Sequence, residues 1–185
     1  MKTYTIVAGV NGCGKSSLTG VLRTEVDQLG TIIDVDKITV ACGGNVVEGA
    51  KRAVALIDDC LEKGICFTQE TTLSGKKTLN TVRRAMEQDY YIRLYYVGLN
   101  TMEESLLRIE NRVKRGGHNI DTDAVTKRFA KRFEDLLAVL PYCNEATFYD
   151  NDNGFRTVAK YKNGELQPIG SNPPLWLTEL INKMK

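Results

Sequence analysis

Residues Gly9-Val10-Asn11-Gly12-Cys13-Gly14-Lys15-Ser16 are a full match to the phosphate-binding pattern G-x-x-x-x-G-K-[ST]. Few sequence features restrict a chain so tightly, because this loop works only between a buried strand and a helix N-terminus. Both neighbours are present. Lys2 to Ala8 is β-branched and apolar enough for a buried strand, and Ser16-Ser17-Leu18-Thr19-Gly20-Val21-Leu22 opens a helical pattern. Glycines at 9, 12 and 14 let backbone N–H groups turn inward and approach phosphate oxygens with no Cβ in the way. The helix N-terminus adds partial positive charge. The pattern therefore predicts a nucleotide site, ATP or alternatively GTP, built on Gly9, Asn11, Gly12, Cys13, Gly14, Lys15, Ser16 and Ser17. Lys15 would reach the β- and γ-phosphates, and the Ser16 hydroxyl would ligate Mg²⁺.

At 185 residues, with 42% hydrophobic composition, the chain is expected to be a single domain, residues 1–185. A net charge of +2 gives no overall electrostatic case for nucleic acid or membrane as a partner. With neither a signal-peptide pattern nor an apolar run of spanning length, the expected location is the cytoplasm. Five cysteines, an odd number with no C-x-x-C pair, argue against a disulfide framework or a zinc site. Cys13, inside the loop, is read as a small tolerated residue rather than a redox switch.

Strand and helix patterns alternate along the chain. Thr31 to Asp36 reads as a second strand ending in carboxylates, Val46 to Lys63 as a helix stopped by Gly64, and Ile65 to Glu70 as a third strand. A helix over Lys76 to Gln88, a strand over Tyr91 to Val97 and a helix over Thr101 to Arg115 follow. Gly116-Gly117-His118-Asn119 then breaks the pattern before a helix from Asp121 or Thr122 to about Leu140. After a fifth strand, Ala146 to Tyr149, Asn163-Gly164 signals a type I′ hairpin, and Pro173-Pro174 starts a last helix. The predicted fold class is α/β: a P-loop NTPase, kinase-like three-layer sandwich. It would have a mostly parallel five-stranded sheet, a helical lid over about residues 101–140, and a C-terminal β-hairpin plus helix.

Three carboxylates, Asp34, Asp36 and Glu70, are expected at the carboxyl edge of the sheet, where open α/β folds bind their ligands. There they could take a hydroxyl proton or hold Mg²⁺ through water; turn and capping chemistry is the alternative for the Asp pair, but the convergence of three carboxylates on one crevice favours function. Arg108, Arg112 and Arg115 share a helix face, and Arg128 and Arg132 repeat the i, i+4 spacing beyond the glycine break. Such a hairpin can close over a nucleotide and set guanidinium groups on its phosphates. Pairs such as Glu104 with Arg108 and Glu110 with Lys114 offer the alternative of a solvated face. His118, the only histidine, lacks a metal-spaced partner and is read as a loop residue.

In order, Gly9 to Ser16, Asp34-Val35-Asp36-Lys37-Ile38, Glu70-Thr71-Thr72-Leu73-Ser74-Gly75, Arg112-Val113-Lys114-Arg115-Gly116-Gly117-His118 and Tyr149-Asp150-Asn151 resemble the zeta toxin family of P-loop kinases, in its short bacterial branch. The resemblance runs from residue 1 to about residue 160. It implies an ATP-dependent kinase acting on a hydroxyl of a small molecule, with UDP-N-acetylglucosamine, a sugar nucleotide, the substrate of the toxin members, and an antitoxin protein as a partner. It also implies Asp36 as general base, Glu70 and Thr71 at the substrate, and Lys15, Arg115 and Arg128 on the phosphates, with Arg112 or Arg132 one turn away as alternates. The competing function is a nucleotide-dependent binding or regulatory module without kinase activity.

Overall fold

The computed structural model describes residues 1–117 and 119–185, so His118 lies outside the described residues. Its central strand, β1 (Thr3–Gly9), is buried along all seven residues. Alternate side chains feed two cores, as the two-residue period of a strand requires. Tyr4, Ile6 and Ala8 join the larger cluster, which Ala53, Val82, Leu136 and Trp176 complete from the helices. Val7 points to the other face, against Leu18, Leu22 and Val97.

The loop leads from β1 into α1 (Lys15–Glu25). Strand β2 (Thr31–Asp34) is also shorter than predicted. Helix α2 (Val35–Ala41) replaces its expected end, because Asp34 caps that helix by accepting from the Asp36 and Lys37 N–H groups. Helix α3 (Val46–Lys63) is capped by Asn45 and stopped by Gly64 in the left-handed conformation. Strand β3 (Phe67–Thr71), α4 (Lys77–Met86) and β4 (Tyr91–Gly98) complete the first half.

Helices α5 (Met102–Lys114) and α6 (Thr122–Val139) form the predicted hairpin, N-capped by Thr101 and Asp121. A 3₁₀ turn at Leu140–Tyr142 leads to β5 (Glu145–Asp150). Strands β6 (Arg156–Lys162) and β7 (Glu165–Pro168) meet at Asn163-Gly164, both with positive φ as a type I′ turn requires. Helix α7 (Leu175–Lys183) closes the described chain.

The seven strands form one sheet in the order β2-β3-β1-β4-β5-β6-β7. The first five are parallel, as expected. The hairpin is not an appendage: β6 pairs antiparallel with β5 and β7 with β6, extending the predicted five strands to seven. Register aligns Asp34 with Glu70 and Val7 with Glu70, so the ends of β2 and β3 stand beside the start of the loop. No helix is long and apolar enough to cross a membrane among the described residues.

Candidate active site

The loop turns on Gly9, Gly12 and Gly14, with φ of +144°, +75° and +105°, outside the range that other residues adopt without strain. Space forbids a side chain as well. A Cβ on Gly9 would stand 2.4 Å from the Val97 carbonyl oxygen. Lys15 Nζ donates to the carbonyls of Gly9 and Val10, each at 3.0 Å, and so lies across the loop. Cys13 is fully buried; burial pushes its thiol up, although Lys15 and Arg108 oppose the shift. Its sulfur is a packing atom rather than a ready thiolate.

The α5–α6 hairpin and the segment after β5 hold this loop. Ser105 of α5 donates to the Asn11 carbonyl at 2.6 Å, and Arg128 of α6 donates to Asn11 Oδ1 at 3.1 Å. Asn151 Nδ2 donates to the Cys13 carbonyl at 2.8 Å, while Arg108 donates to the Asn151 carbonyl at 2.6 Å. Ser105 and Asn151 thus hold the loop backbone directly, Arg128 holds a loop side chain and Arg108 steadies Asn151, which together preorganise the loop N–H groups.

The carboxylates divide into different environments. Asp34 is committed to capping α2 and to an ion pair with Lys37 at 3.3 Å. Asp36, in the first turn of α2 rather than at a strand end, is exposed and lines the cavity in front of the loop. Glu70 is 6% exposed; its Oε2 accepts from the Ser16 hydroxyl at 2.7 Å, while Oε1 is buried with no hydrogen-bond partner. A hydroxyl beside an orphaned carboxylate oxygen suits Mg²⁺, which binds through one or two carboxylates plus nucleotide phosphates. No group of three or more His, Cys, Asp or Glu stands ready to hold a metal among the described residues.

One cavity of about 600 Å³ joins these parts. It is lined by Lys15 and Ser16 of the loop, by Ala53 and Ile57 of α3 and by Thr78 and Thr81 of α4. Arg108, Arg112 and Arg128 also line it.

No protein-family model matches the chain. An uncharacterized protein of Haemophilus influenzae is 33% identical over 126 residues, which span 65% of this chain and 88% of that protein. The two belong to one family. Among solved structures, one from the PezAT chromosomal toxin-antitoxin system of Streptococcus pneumoniae superposes with a TM-score of 0.68 at 14% identity, covering 100% of this chain and 84% of that one. A chain of the AvrRxo1-ORF1:-ORF2 complex with ATP gives 0.71 at 14% identity, and this chain spans 63% of its length.

This is a zeta toxin-like P-loop kinase fold. Within it, the residues singled out by sequence are brought together unevenly. Asn11, Gly12, Gly14, Lys15, Ser16, Ser17, Asp36, Glu70, Thr71 and Arg128 all line the cavity. Thr71 has its hydroxyl engaged locally, accepting from the Leu73 N–H at 3.0 Å beside Thr78 at 3.2 Å. Arg115 does not line the cavity: it is the exposed C-cap of α5, where the chain turns away at Gly116 with φ +85°. Arg112 and Arg108, one and two turns earlier, line the cavity instead. Arg132 is tied into the core side, donating to the Phe129 carbonyl and Glu179 and lying on the rings of Phe129 and Phe133.

Sequence reasoning passed over Ser105 and Asn151 as site residues. Asn151 could have been found from its place at the end of the fifth strand, within the Tyr149-Asp150-Asn151 segment. Ser105 carries no such signal, being one serine in a charged helix.

Proposed function

We propose that the protein is an ATP-dependent kinase that transfers the γ-phosphate to a hydroxyl of a small molecule. The observation that carries this reading is that one cavity is lined by the phosphate loop, by Asp36 and by Glu70, which is hydrogen-bonded to Ser16 of the loop. A pure nucleotide switch has no need of an exposed carboxylate on an acceptor-sized pocket.

The loop N–H groups and Lys15 hold the polyphosphate, with GTP as the alternative nucleotide, and Ser16 and Glu70 hold Mg²⁺. Bound there, Mg²⁺ supplies charge neutralisation at the transferring phosphate. Asp36 orients the acceptor hydroxyl and takes its proton. Arg128 and Arg112 stabilise charge on the moving phosphoryl group; Arg112 takes the part that sequence assigned to Arg115. Glu70 acts on the metal side rather than at the acceptor, and Thr71 shapes the acceptor wall.

The resemblance to zeta toxins makes a sugar nucleotide such as UDP-N-acetylglucosamine the first acceptor to try. An antitoxin is the protein partner to seek, supported by the toxin-antitoxin setting of the PezAT structure. A screen of sugar nucleotides and other hydroxyl metabolites with Mg·ATP, scored by mass spectrometry for an added phosphate, tests the proposal. A phosphorylated product that disappears in Lys15→Ala supports it. Tight ATP binding with no product from any pool favours the regulatory module.

A further inference from the structure

The phosphate-loop pattern leaves position 11 open to any residue, so the asparagine there is this chain's own choice. Asn11 is 5% exposed, and both helices of the α5–α6 hairpin grip it. Ser105 of α5 donates to its backbone carbonyl at 2.6 Å, and Arg128 of α6 donates from a guanidinium nitrogen to its side-chain oxygen at 3.1 Å. Helix α5 packs directly on the next residue: a Cβ on Gly12 would stand 2.8 Å from the Ser105 carbonyl oxygen.

The backbone of α6 is held independently of this hydrogen bond. Val125 and Phe129, on either side of Arg128, are buried, and Phe129 shares a core cluster with Val10 and Cys13 of the loop. Arg128 itself is half-buried and lines the cavity. A long side chain on a fixed backbone still has many rotamers, and an acceptor at its tip selects among them. The kind of acceptor matters. Among the described residues Arg128 has no carboxylate partner. A neutral amide oxygen orients the guanidinium and leaves its charge uncompensated, whereas a carboxylate at position 11 would neutralise that charge and repel a polyphosphate.

We infer that Asn11 is a positioning residue: it aims Arg128 at the terminal phosphate of a bound nucleoside triphosphate and so couples the α5–α6 hairpin to the phosphate loop. The guanidinium has further N–H groups beyond the one given to Asn11, and these are the donors that a γ-phosphate meets. The inference rests on the loop being a nucleotide site, as proposed above.

The test measures MgATP and MgADP affinities by calorimetry on wild-type protein, Asn11→Ala, Arg128→Ala and the double variant. The wild type is expected to bind ATP more tightly than ADP. Arg128→Ala should lower that preference by about tenfold or more, the worth of a hydrogen bond to a charged group, and Asn11→Ala should lower it nearly as far while ADP affinity stays within a few-fold of wild type. The double variant should lose no more than Arg128→Ala, because the two residues act as one unit. An unchanged preference in either single variant overturns the inference. So do additive losses in the double variant, and so does an equal loss for the two nucleotides in Asn11→Ala, which makes Asn11 a support of the loop alone. A wild type that binds neither nucleotide overturns the nucleotide site itself.

Discussion

Ser16 donates its hydroxyl hydrogen to Glu70 Oε2 across 2.7 Å, joining the first turn of α1 to the end of β3. The other carboxylate oxygen is buried without a partner, a costly arrangement for a residue of structural use alone. Removing the charge while keeping the acceptor should therefore separate stability from function. Glu70→Gln is expected to raise Tm slightly and to shift the Mg²⁺ concentration for half-maximal turnover upward by about tenfold, the scale seen when a partner of a metal ligand is lost. A lowered Tm with unchanged Mg²⁺ dependence in the same titration would make Glu70 a structural residue.

Asp36→Asn removes the proposed base with little change of shape. Turnover should fall by roughly 10²–10⁴, the usual worth of a general base, while ATP affinity by calorimetry stays within a few-fold. If turnover persists, the proton must go elsewhere. Asp34 is a poor substitute, because α2 and Lys37 already occupy it.

The arginines give a comparison within one lid. Arg112→Ala and Arg128→Ala line the cavity and should each lower turnover by about 10³-fold or more, as removal of a phosphate-stabilising arginine does. Arg115→Ala, exposed at the end of α5, should stay near wild type. Equal losses in Arg115→Ala and Arg112→Ala under saturating ATP would show that the lid closes differently around substrate.

The phosphate loop made one end of the candidate site legible in the sequence, because a glycine at positive φ and a lysine at fixed spacing have few other uses. Alternation of strand and helix patterns made the parallel sheet legible too. Two features were hidden for physical reasons. Helix α2 follows Asp34 directly, and Val35-Asp36-Lys37-Ile38 carries too few residues to display a helical period. The end of α5 was legible, but which arginines of its shared face reach the cavity depends on how α5 packs beside the loop, a long-range contact with no local signature. The hairpin was read correctly from Asn163-Gly164, but its pairing with β5 is a long-range contact with no local signature.

Helix α7 is fastened at the end of β5. Trp176 Nε1 donates to buried Asp150 at 3.0 Å, and its backbone N–H donates to Asn100 at 3.2 Å. The indole lies on Gly98, where a Cβ would stand 2.2 Å from the ring. Gly98→Ala is expected to cost about 1–3 kcal/mol by overpacking, measured as a lower denaturant midpoint at unchanged slope. A neutral result would mean that α7 shifts freely on the sheet.

Stability should fall in alkali. Burial pushes the Cys13 thiol up and that of Cys143 up to about 12, so both stay protonated in the fold while the unfolded chain ionises above its ordinary thiol pKa. Above about pH 9 the unfolded state binds fewer protons, and each group should remove about 1.4 kcal/mol of stability per pH unit until its folded value is reached. Urea unfolding at pH 8 to 10.5 checks the slope, which should flatten in the double variant Cys13→Ser, Cys143→Ala. A slope identical to wild type would assign the loss to other groups.

The central claim is that the loop, Asp36 and the cavity between them perform one phosphoryl transfer. It is tested most directly by following the γ-phosphate of ATP into an acceptor found by the metabolite screen, with wild-type protein and Lys15→Ala side by side. The account predicts stoichiometric transfer to an acceptor hydroxyl by the wild type, and none by Lys15→Ala despite an unchanged fold. Transfer undiminished by Lys15→Ala, or ATP bound and never transferred by the wild type, would contradict it.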